Sequence, residues 1–130
     1  MNMSENAGKL ILRVVLGFLI LLHGIHKLIG GIDWLDGMLA NAGLPAFLKY
    51  GAYLGEVVGP LLVISGYYSR IGAWLIAVHM LFALGLAHAG ELFAFNPQGG
   101  NLVIELQYLF LFSAIAVALI GPGRYAINQK

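Results

Sequence analysis

"LILRVVLGFLILLHGIHKLIGG", residues 10–31, decides how the whole chain is read. About 20 mostly apolar residues suffice to cross a bilayer as a helix, and residues 10–29 meet that length. The stretch then places His23, His26 and Lys27 within two helical turns. Such groups are costly in hydrocarbon, so each either marks the end of a span or faces partners inside a bundle.

Working outward, three more runs of the same kind follow, at about 50–67, 71–88 and 102–120. The expected fold is therefore all-α, an integral membrane four-helix bundle built as a single domain over residues 1–130. Composition agrees. Of 130 residues, 60% are hydrophobic and only 10% charged, too little polar surface to cover a soluble domain. The first loop, "DWLDGMLANAGLP" at 33–45, sets Trp34, Leu35, Met38 and Leu39 on one helical face. It reads as a short interfacial helix stopped by Gly43 and Pro45.

Several function classes drop out. A net charge of +1 without a basic cluster gives no reason to expect nucleic acid as a partner. The chain has no cysteine, which excludes disulfides, thiolate metal sites and iron–sulfur clusters held by its own residues. "MNMSENAGK" lacks the basic region and cleavage pattern of a removable signal, so the first run is expected to stay as a span. Lys9, Arg13, Arg70, Arg124 and Lys130 fall on the side of the termini, and Lys27 and Lys49 on the other. That bias predicts a multi-pass protein of the bacterial inner (cytoplasmic) membrane with both termini cytoplasmic. The aromatic residues Tyr67, Tyr68 and Tyr125 would mark the inner boundary, and Trp34, Tyr50, Phe93 and Phe95 the outer.

A helix rises about 1.5 Å per residue, which converts position into depth and sets His23 and Glu56 both roughly 5 Å outward of the midplane. Glu105 and Gln107 enter from the outer end of the last run, with Tyr108 one turn from Glu105. His79 lies near the middle of the third run, and His88 and Glu91 at its outer end. Arg13, Gly17, Gly24 and Lys27 form one stripe on the first span, with His23 at its edge. Gly51, Gly55 and Gly59 form a double G-x-x-x-G on the second span, the expected partner of that stripe. Pro60 cannot donate to the carbonyl four residues earlier, which belongs to Glu56. A carboxyl group and a released carbonyl thus need partners at the depth of His23. Glu56 is expected to be protonated or paired with a basic group of another span. Lys27 is read first as an anchor reaching the interface and Arg13 as a cytoplasmic anchor, each also a candidate for pairing inside the bundle. His26 and His88 are read as interfacial.

"RVVLGFLILLHGIHKLIGG" (13–31), "AGLPAFLKYGAYLGEVVGPLLVISGYYSRIGAWLIAVHM" (42–80) and the closing "GPGR" (121–124) resemble the DoxX-like family of small bacterial integral membrane proteins. The landmarks are Arg13, Gly17, Gly24 and Lys27, then Glu56, Gly66 and Arg70, then Gly121, Pro122 and Gly123. The resemblance implies a four-helix membrane bundle and association with membrane oxidoreductases or oxidative-stress defence. Some relatives are subunits of a thiosulfate–quinone oxidoreductase. Pro60 stands where the family commonly has a small residue, and the absence of cysteine argues against sulfur carriage by this chain.

The leading functional expectation is a quinone-interacting subunit or accessory protein of an oxidoreductase system. A quinone needs an apolar cleft and a few polar groups for its ring oxygens, and its reduction takes up protons that His and Glu can relay. His23, Glu56, His79, Glu105 and Tyr108 are the ligand or proton-relay candidates. Gly17, Gly24, Gly51, Gly55, Gly59 and Pro60 are the packing positions. No catalytic residue and no metal ligand is assigned, and an oxidoreductase partner would supply electrons. The second reading is a haem or metal protein, with His23 and His79, or His26 and His88, as ligand pairs. The third is a non-catalytic scaffold or small transporter. Glycine-rich faces also suit a homo-oligomer within the lipid bilayer.

Overall fold

A computed structural model describes residues 3–33, 35–87 and 105–130. The described residues are all-helical or irregular, with no strand among them. Helix α1 spans Met3–Gly30. Helix α2 is the short Leu35–Asn41, ended where Gly43 and Pro45 follow, as the first loop predicts. Helix α3 spans Ala46–Ser65, α4 spans Ser69–Ala87, and α5 spans Glu105–Ile120. By length and composition α1 and α3 can each cross a membrane, while Ser69–Gly85 and Leu106–Ile120 are shorter apolar helices.

Helix α1 begins seven residues before the expected start of the span. Its first turns are amphipathic rather than apolar, and they pack on the C-terminal tail. Asn6 is buried, and its Oδ1 accepts a bond from the Arg124 backbone N–H at 2.9 Å. The tail after the "GPGR" turn then crosses the ends of α3 and α4. Asn128 N–H donates to the Gly66 carbonyl at 3.2 Å, and Arg70 N–H to the Lys130 carbonyl at 3.2 Å.

Leu16 and Ile20 of α1, Val63 of α3, Ile76 and Met80 of α4, and Phe110, Ala114 and Val117 of α5 form one buried cluster. Apolar residues are also abundant outside. Phe18, Leu22, Leu61, Leu81, Leu109 and Phe112 are all exposed, as on a surface that meets hydrocarbon.

The helices approach each other through glycine, but not in the expected pairing. Gly17 faces Pro60 and Ile64 of α3, and Gly24 lies against the Glu56 carbonyl and Val57. Gly55 and Gly59 face α4 instead: Gly55 lies on His79, and a Cβ on Gly59 would sit 3.0 Å from the Gly72 carbonyl oxygen. Gly51 has open space beside it. The stripe of α1 therefore meets the Glu56/Pro60 face of α3, while the G-x-x-x-G face meets α4. Neighbouring positions on a helix point about 100° apart, so one residue of offset turns α3 toward a different partner.

Helix α3 is irregular along its length. A 3₁₀ turn at Ala46–Tyr50 leads into α-helix at Gly51–Tyr53, a π-helical turn at Leu54–Val58, and α-helix again at Gly59–Ser65. Pro60 accounts for the π turn, because it has no N–H and its ring displaces the carbonyl of the preceding turn.

Candidate functional site

Two arginines close the end of the molecule that holds both termini. Helix α3 ends at Gly66, whose φ of 74° is the left-handed conformation that glycine adopts without strain. The last carbonyls of a helix have no partner within it. Arg13 Nη1 reaches across from α1 to donate to the Val63 carbonyl at 3.0 Å and the Ile64 carbonyl at 3.5 Å. Its Nη2 donates to the Tyr125 carbonyl. Arg13 is only 1% exposed, so it is an interior cap rather than a surface anchor. Arg70 does the same for α5, donating to Ala118 and Leu119 at 3.0 and 3.1 Å beside the left-handed Gly121. Positive charge also suits a helix C-terminus.

The ionisable groups that face a cavity lie toward the other end. Glu56 projects from the π turn and is 4% exposed. Its Oε2 is ion-paired with Lys27 Nζ of α1. Its Oε1 lies 3.4 Å from His79 Nε2 of α4. One carboxylate therefore ties three helices together. The basic partner expected for Glu56 exists, but it is not His23. His23 Nδ1 donates to the Leu19 carbonyl at 2.9 Å, and its ring meets Phe110 edge-on at 5.8 Å between centroids. His23 thus turns toward α5.

Lys27 replaces it for a directional reason. Side chains on a helix lean toward its N-terminus, so a lysine in the last turn of α1 reaches back over the preceding turn. That turn carries Gly24, which sits on the Glu56 carbonyl released by Pro60. The absent side chain at Gly24 lets α1 approach closely enough for the four-carbon stem to deliver its ammonium. Gly55 plays the matching part on the other side, because a Cβ there would overlap His79.

The cluster borders a cavity of about 590 Å³ between α1, α3, α4 and α5. His23, Lys27, Glu56 and His79 line it, together with Gln107 and Phe110 of α5 and Leu39 of α2. Most of the remaining wall is apolar. Leu39 is 3% exposed, and α2 is held to α3 by Lys49, which lies 3.1 Å from Asp33 and 3.2 Å from Asp36.

Of the candidates from sequence, His23, Glu56 and His79 reach this cavity. Tyr108 packs against the core, and its neighbours Gln107 and Phe110 line the cavity instead. The side chain of Glu105 lies outside the described residues, as do Trp34, His88, Glu91, Phe93 and Phe95. His26 is exposed on α1. Gln107 stood out in the sequence as a polar residue in an apolar run but was not among the ligand candidates, and Phe110, one turn on, carried no signal of its own. Asp33 and Asp36, at helical spacing ahead of Lys49, did carry one.

Comparisons with known proteins cover the residues of this cluster. A family model described as DoxX matches residues 8–89, which include Lys27, Glu56 and His79. A Bacillus subtilis protein named "Putative oxidoreductase CatD" is 35% identical over 129 residues, 98% of this chain and 90% of its own length. An Escherichia coli protein named "Inner membrane protein YqjF" is 28% identical over 130 residues, 99% of this chain and 95% of its own. A Haemophilus influenzae protein of 31% identity is named only as uncharacterized. No solved structure matches the chain.

Proposed function

This chain belongs to the DoxX family of membrane proteins, and from that premise we propose that it binds a quinone ring as a component of an inner-membrane oxidoreductase system. The observation that carries the reading is the Lys27–Glu56–His79 cluster on the wall of an otherwise mostly apolar cavity. Ligand sites combine an apolar lining with a few placed polar groups. The Lys27 ammonium and the His79 imidazole can donate to a ring carbonyl, and the Glu56 carboxylate can accept from a hydroquinone hydroxyl. Reduction of the ring takes up two electrons and two protons. The cluster would hold and pass protons, with electrons delivered by a partner oxidoreductase, since no cysteine is present to ligate an iron–sulfur cluster.

In the same reading α1, α3, α4 and α5 are the four spans, and the end closed by Arg13 and Arg70 faces the cytoplasm. Lys9, Arg13, Arg70, Arg124 and Lys130 support that orientation by their position in sequence.

The test is native purification followed by organic extraction and mass spectrometry of the bound lipids, with Glu56→Gln and Lys27→Met beside the wild type. Quinone above the level of bulk membrane in the wild type, and its loss in both variants, is the expected result. A wild type without bound quinone, together with unchanged quinone-linked activity in Glu56→Gln membranes, would sink the reading.

A further inference from the structure

The polar cluster makes up only part of the cavity wall. The same cavity continues onto the outer faces of α3 and α4, where Leu54, Ile71, Trp74, Val78 and Phe82 line it. These side chains are 45–53% exposed, so this part of the cavity opens to whatever surrounds the helices. On α4 the residues at 71, 74, 78 and 82 recur at helical spacing and form one stripe. The stretch from His79 to Ile71 covers about 12 Å of helix axis. The two helices touch closely where Gly59 meets Gly72 and where Gly55 meets His79. Gly51, one turn further out on α3, has open space beside it and lines the cavity.

We propose that this stripe is a tail groove: the ligand is a long-chain prenylated quinone that enters sideways from the bilayer between α3 and α4, its tail along Trp74 and Val78 and its ring at Glu56 and His79. The inference rests on the quinone reading of the polar cluster and adds the class of ligand and its route. Continuity of groove and cluster in one cavity is what selects the occupant. A lipid acyl chain could cover the same apolar stripe, but it has no ring to place against the three ionisable side chains.

A tail gains little by leaving lipid for an equally apolar groove, so its contribution is packing and orientation of the ring. The experiment compares menadione with menaquinone-4, which share a ring and differ by the tail. The protein is placed in phospholipid nanodiscs, and affinities are expressed per membrane mole fraction. Trp34→Phe leaves Trp74 as the sole tryptophan, and quenching of its emission by the quinone is the readout. With no cysteine in the chain, menadione has no thiol to alkylate.

Menaquinone-4 is expected to bind about fivefold or more tighter than menadione, with that ratio falling toward one in Val78→Phe. Leu54→Phe, on the facing helix, gives a second blocking variant should the first not fold. Equal affinities of the two quinones in the wild type, or a ratio unchanged in both blocking variants, overturn the tail groove and leave the ring site standing. Absence of saturable quenching by either quinone overturns the ring site itself.

Discussion

At the scale of single residues, Glu56 and Arg13 set the problem, because each puts a charge-bearing group into the interior. The two Nη groups of Arg13 donate to carbonyls of the last turn of α3 and of Tyr125 rather than to a carboxylate, while its buried Nε has no hydrogen-bond partner among the described residues. Lysine cannot reproduce that planar fork, so Arg13→Lys should lower stability by about 1–3 kcal/mol. Thermal unfolding in detergent measures it, and an unchanged midpoint would contradict the capping role. Glu56 depends on Lys27 in a different way. Lys27→Met leaves a buried carboxylate with His79 as its remaining ion-pair partner, at a cost of about 2–4 kcal/mol. Adding Glu56→Gln should recover part of the loss, since two neutral groups need less compensation than one stranded charge. Strictly additive losses in that double-mutant cycle would show that the two side chains do not interact.

The element that organises the site is α3. Its π turn presents Glu56, and its two faces meet different helices through different small residues. The three glycines of its G-x-x-x-G stripe are therefore not equivalent. Gly55→Ala would push a methyl group into His79, and overpacking of that kind costs about 1–3 kcal/mol. Gly51→Ala meets open space and should be neutral or stabilising by up to about 1 kcal/mol, because alanine is the better helix former. Parallel unfolding curves of the two variants check the contrast, and similar losses at both sites would refute the assignment of faces. Pro60→Ala would return an N–H to the Glu56 carbonyl and remove the reason for the π turn. The expected consequence is weaker quinone binding with little loss of stability, read by the nanodisc titration.

For the whole molecule, the two ends differ in character. The end with the termini is tied by Arg13, Arg70, Asn6 and the returning tail into a network of backbone and side-chain bonds. The opposite end holds the cavity, the Lys27–Glu56–His79 cluster and the α2 segment clamped by Lys49. The proposed orientation puts the tied end in the cytoplasm. With no native cysteine, single-cysteine variants report it directly. Gln98→Cys should react with an impermeant maleimide from outside intact cells, and Gln129→Cys only after permeabilisation. Reversed labelling would invert the molecule in the membrane.

Composition and period were enough to determine the helical class, the apolar runs and the α2 segment in the first loop, because they depend on residues close together along the chain. The resemblance to the family was also legible there, from Arg13 to the "GPGR" turn. The need of Glu56 for a partner followed from Pro60 and from the cost of a buried carboxyl group. What the sequence could not rank was the partner. Depth made His23 and Glu56 neighbours, but depth carries no information about rotation around a helix axis. Tertiary packing chose Lys27, turned the glycine stripe of α3 toward α4, brought His79 to the carboxylate, and drew Arg13 inside as a cap. All four outcomes depend on which face of one helix meets which face of another. That choice is made by close contact at Gly24, Gly55 and Gly59, between residues far apart in the chain.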